Sequence, residues 1–73
     1  MRISEENLRR IEDAFDNRQD RSNRQNVERH VRLVLRDDPS LLQPFSAERL
    51  SGGEDTFEGV VSQVYEWINR HMG

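Results

Sequence analysis

The chain has 73 residues, no cysteine and a formal net charge of −3, which bounds it to a single small domain, 1–73, with no disulfide or thiolate staple. Hydrophobic residues make up 33% and charged residues 34%, close to the composition of disordered chains. The longest apolar runs, such as Leu33-Val34-Leu35, fall far short of the roughly 20 residues that span a bilayer, and the opening MRISEENL has no apolar signal-peptide core. The expectation is a soluble cytoplasmic protein.

Placement of the apolar residues argues for a globule, because they recur in stripes. Ser4 followed by Glu5 and Glu6 reads as a helix start, a hydroxyl cap with carboxylates at the positive end of the dipole. Leu8, Ile11 and Phe15, with Ala14 beside them, continue one face, so a first helix is predicted over about 4–17. The next stripe is Val27, Val31, Val34 and Leu35. At about 100° per residue, one straight helix through both stripes would point them in nearly opposite directions. A break is therefore predicted within the polar stretch NRQDRSNRQN, residues 17–26, where Asp16, Asn17, Asp20, Ser22 and Asn23 are capping and turn types.

A second helix is predicted over about 23–37, capped by Ser22 or Asn23 and stopped by Asp37-Asp38-Pro39. Pro39 then opens a short turn, 39–43, with Asp38 as its cap, and a second follows over 46–50. Leu41, Leu42, Phe45 and Leu50 are placed inward. Gly52-Gly53 breaks the chain. The last helix, about 55–71, is capped by Asp55 or Thr56. Its face is Phe57, Val60, Val61, Val64, Trp67, Ile68 and Met72, with Gln63, Glu66, Asn69 and Arg70 left to solvent. No segment alternates with period two. The fold class is all-α, a compact bundle of three main helices with one or two short helical turns.

Site chemistry is sparse. His30 and His71 have no spaced partners for a metal and are expected to be structural or solvent-facing. No serine sits in a nucleophile elbow. The acids after Gly52-Gly53 would repel a phosphate, and no Gly-Lys-Ser/Thr follows. No enzyme activity, cofactor or metal is expected.

Charge, by contrast, is uneven. All 11 basic residues are arginine; residues 1–36 hold nine of them against seven acids, and residues 37–73 hold two against seven. The basic candidates are Arg18, Arg21, Arg24, Arg29, Arg32 and Arg36, and the acidic ones are Glu48, Glu54, Asp55 and Glu58. Three readings stand open. The arginines line a solvated helix face, contact a protein, or contact nucleic acid, where arginine with Asn and Gln is a usual vocabulary. An isoelectric point near 5.3 weakens long-range attraction to DNA or RNA. A basic helix and an acidic second half also suit head-to-tail association of two copies.

The layout resembles the effector-associated domains of bacterial conflict systems. The shared pattern is a first helix with Leu8 and Ala14-Phe15, a valine/leucine second helix, a Gly-rich break, and a closing helix. That last helix reads Phe57-x-x-Val60-Val61-x-x-Val64-x-x-Trp67-Ile68, with Gly73 after it. The resemblance implies a death-fold-like adaptor module of bacterial defence that recruits partners by homotypic association and has no catalytic residues. A phage or plasmid protein that inhibits a host factor would read the same way.

Overall fold

The computed structural model describes residues 2–52 and 54–70, apart from the side chains of Glu54 and Asp55. His71 and Met72 lie outside the described residues. Four helices follow in order: α1 (Glu5–Asp13), α2 (Arg24–Asp37), α3 (Ala47–Gly52) and α4 (Glu54–Arg70). A 3-10 turn, Pro39–Leu42, joins α2 to the segment before α3, and the Gln43–Pro44 peptide bond is cis. No strand occurs among the described residues. None of the described helices is long and apolar enough to cross a membrane.

Ser4 caps α1 as its position predicts, its hydroxyl accepting from the N–H of Asn7 at 3.2 Å. The helix stops four residues short of the predicted end. The apolar stripe runs on to Phe15, but Phe15 donates its N–H to Glu12 in a tightened turn, and the carboxylate of Asp16 then takes the N–H of Arg18 at 2.9 Å. Phe15 still reaches the core from this turn, whereas Ala14 is exposed. A ring in the core does not need to be in a helix.

The polar stretch is a ladder of such turns. Asp20 accepts from the N–H and hydroxyl of Ser22, and Asn23 caps α2 by accepting from the N–H of Gln25 at 2.9 Å. Helix α4 holds the stretch from outside: Tyr65 donates its hydroxyl to the Ser22 carbonyl, and Asn69 donates its amide to that of Arg21. Asn69 is thus partly buried, although its helical position reads as solvent. Gln63 is a similar case, since its side-chain oxygen takes the N–H of Ile3 at 2.8 Å and ties down the N-terminal segment before α1.

Helix α4 packs against α1, α2 and α3, and the 3-10 turn closes over α1 and α2. Ile11, Val27, Val31, Leu42, Val60 and Ile68 have no exposed surface at all. Each fully buried branched side chain contributes about 1.5–3 kcal/mol, which is how a chain with few apolar residues folds. Ile3, not assigned to the core from the sequence, is buried as well. Backbone from Glu54 onward is helical, so Asp55 and Thr56 lie inside the first turn of α4 and do not precede it.

Gly59 sits on the exposed side of α4, and a methyl group built there meets nothing within 4 Å. Gly59→Ala is therefore expected to stabilise the domain by roughly 1 kcal/mol through helix propensity. The urea midpoint should rise at unchanged slope.

Candidate functional site

Most of the arginines that distinguish the sequence are committed within the molecule. Arg18 forks onto Asp16 with two contacts of 3.1 Å, and Arg36 lies on its neighbour Asp37 at 2.9 Å. Arg32 pairs with Glu28 one helical turn away, and its guanidinium also covers the ring of Phe57 at 4.4 Å. Arg24 reaches from the start of α2 to Glu58 and Ser62 on α4, at 3.2 and 2.9 Å, over the ring of Tyr65. Arg24 is thus the one candidate arginine paired across to α4, while Arg18 and Arg32 pair with acids of their own half of the chain and Arg36 with its neighbour.

Arg21 is turned inward. It joins Glu12 at 2.6 Å, in a pair whose side chains are 26% and 18% exposed. The other oxygen of Glu12 takes the indole N–H of Trp67 at 3.1 Å. One carboxylate thus ties α1, the polar stretch and α4 together. Sequence spacing gives no hint of this triad, because its members lie up to 55 residues apart.

Arg29 differs from the other five. It is exposed and has no ion pair among the described residues. Four residues on, Leu33 is 44% exposed, the one exposed large hydrophobic among the described residues. Both border a pocket of about 140 Å³, together with Ala14, Phe15, Asp16, Gln19 and His30. That volume is below the roughly 300 Å³ at which pockets usually hold small molecules. A cavity of about 150 Å³ holds one benzene-sized group, so this one fits a single side chain. Leu33 had no role in the sequence reading, which followed the Val27/Val31/Val34/Leu35 stripe and passed over the residue beside it.

A larger cleft of about 680 Å³ lies between α2, α3 and the start of α4, lined by Glu28, Arg32, Leu35, Leu50, Phe57 and Glu58. Its charged groups are already paired, Glu28 with Arg32 and Glu58 with Arg24. Of the acidic candidates, Glu48 is exposed on α3 and has no ion pair among the described residues. The side chains of Glu54 and Asp55 lie outside the described residues. No group of three His, Asp or Glu side chains among the described residues is placed to hold a metal.

His30 is 9% exposed. Its Nε2 lies 2.8 Å from the carbonyl oxygen of Ile11, and its ring meets Phe15 edge-on at 5.2 Å. A carbonyl only accepts, so Nε2 carries the proton and serves one of the carbonyls left over at the end of α1.

The pairing also sets local charge states. Hydrogen bonds from the Arg18 side chain and then its N–H hold the Asp16 carboxyl below the usual aspartate range. The Ser22 hydroxyl and N–H do the same for Asp20, and the Arg36 guanidinium for Asp37. A depressed carboxyl stabilises the fold above its unfolded value, about 3.9 for aspartate, and that contribution is lost as pH falls through the folded value. Carboxyl carbon titrations by NMR should give Asp16, Asp20 and Asp37 midpoints below 3.9. Ordinary midpoints would show that the Asx turns at Asp16 and Asp20, and the Arg36 pair at Asp37, open in solution.

The class of protein defined here is a small all-α bundle with one uncommitted patch on α2. No protein-family model matches the chain, and no curated protein or solved structure matches it either.

Proposed function

We propose that the domain is a non-enzymatic protein–protein interaction module, an adaptor, and that the outer face of α2 makes the contact. The observation that carries this reading is the juxtaposition of Arg29, the α2 arginine with no ion pair among the described residues, with Leu33 and a side-chain-sized pocket. Arginine is enriched at protein interfaces and among their hot spots, and an exposed leucine beside a hole adds apolar surface that a partner can cover. Nucleic acid is the weaker reading. Five of the six candidate arginines face carboxylates at 2.6–3.2 Å, so a phosphate would have to displace an acid at almost every contact.

Chemical cross-linking in the native cell tests the reading. A cross-linked complex is expected for the parent chain and is expected to be lost in Leu33→Glu, which leaves the fold intact because Leu33 packs at the surface. Identical cross-linking in parent and variant would remove the face from consideration. A shift of generic duplex DNA or RNA that fades steeply with added salt would assign the arginines to phosphate binding instead.

A further inference from the structure

We infer that the partner on this face is a second copy of the same chain, docked through α2 in a two-fold, antiparallel arrangement. The inference rests on the reading of the α2 face as a protein contact and names its occupant.

The α2 face is self-complementary about Leu33. Arg29 lies four residues before Leu33 and Asp37 four residues after it, so all three share one side of the helix. When two such helices run antiparallel across a two-fold axis at Leu33, Arg29 of each copy falls opposite Asp37 of the other. One unpaired cation then finds a carboxylate, and symmetry makes the contact twice. Asp37 already accepts from Arg36 through both oxygens, but an ionised carboxylate has about four acceptor sites and can take a second guanidinium.

Shape points the same way. Leu33 stands at the rim of the 140 Å³ pocket, so the apolar knob and the hole lie on the same surface. A two-fold axis beside Leu33 brings each knob to the other copy's hole. Head-to-tail packing would need the hole on a different face. The larger cleft is on the other side of α2, but Arg32 covers its Phe57 floor.

Such a contact is small. A helix of 14 residues is about 21 Å long, and one face of it lies at or below the roughly 1,200 Å² low end of specific interfaces. The dimer is accordingly transient and charge-steered, weaker in high salt.

The test is sedimentation equilibrium of the full chain over a concentration series reaching about 1 mM, the weak end of specific affinities, at low and high salt. The expected result is a monomer–dimer equilibrium with nothing larger, weakened by salt. Arg29→Asp and Asp37→Arg are each expected to weaken dimerisation about tenfold, because symmetry turns both ion pairs into repulsions. The double variant should regain most of the loss. Leu33→Glu should abolish the dimer, with thermal melts confirming that every variant is folded.

A strict monomer throughout the series would overturn the inference. It would leave the adaptor reading standing only if cross-linking in cells traps a different protein through Leu33. Rings or larger species, or a dimer indifferent to the charge reversals, would also overturn it.

Discussion

Replacing Glu12 with alanine is expected to cost the domain about 2–3 kcal/mol. The carboxylate is only 18% exposed, and it carries both the Arg21 guanidinium at 2.6 Å and the Trp67 indole N–H at 3.1 Å. Removing it strands a cation whose Nε already lacks a hydrogen-bond partner in the structure. Stranding one member of a fully buried pair costs about 3–5 kcal/mol; the exposure that remains here lowers the figure. Glu12→Gln keeps one acceptor oxygen but turns an amide NH2 toward the other donor and loses the charge, so about 1–2 kcal/mol is expected. A domain of this length has roughly 4–11 kcal/mol in all, so the alanine variant should show a large drop in urea midpoint. Equal losses for Ala and Gln would mean that the charge alone matters. A loss under about 0.5 kcal/mol for Ala, the usual scatter of surface changes, would mean the triad contributes little.

That triad marks where sequence reading reaches its limit. Periodicity found α2 within a residue at each end, because its start and stop have local signals: the Asn23 cap and the Asp38-Pro39 block. Its 3.6-residue spacing also placed the described inward residues of α4, from Phe57 to Ile68, which are buried. It overran α1, because an apolar stripe continues through Phe15 while the backbone leaves the helix at Asp13. Periodicity reports which side a residue faces, and only the turn chemistry at Asp16 reports where the helix ends.

Beyond the local caps, the partners of polar side chains were not legible. Gln63 and Asn69 occupy positions that read as solvent, yet they hold backbone 60 and 48 residues away. The arginines read as one basic surface. In the folded chain Arg24 meets Glu58, and Arg21 meets Glu12. A charge pattern along the sequence fixes which signs are available, while the fold decides which of them cancel. What survives cancellation on α2 is Arg29, and its neighbour Leu33 is the residue that the helical wheel left over.

Replacing His30 with leucine is expected to cost about 2 kcal/mol even though leucine is the more apolar residue. This ring links α2 to the end of α1, through the Ile11 carbonyl and the edge of Phe15. Phe15 gives its N–H to Glu12, so no backbone donor from the end of α1 reaches the Ile11 carbonyl in its place, and His30 Nε2 supplies the bond at 2.8 Å. Leucine fills much of the volume but leaves that buried oxygen unserved, at a cost of about 1–3 kcal/mol. His30→Ala also opens a cavity beside Phe15, so about 3 kcal/mol is expected, the low end for deleting a buried ring. His30→Gln keeps a donor and should fall between the parent and leucine. The neutral imidazole should show the nitrogen chemical shifts of the Nε2–H tautomer. An Nδ1–H tautomer, or a leucine variant as stable as the parent, would mean that the Ile11 carbonyl is satisfied by water. The end of α1 would then be held to α2 by apolar contact alone, and the wall of the pocket beside Leu33 would owe nothing to the histidine.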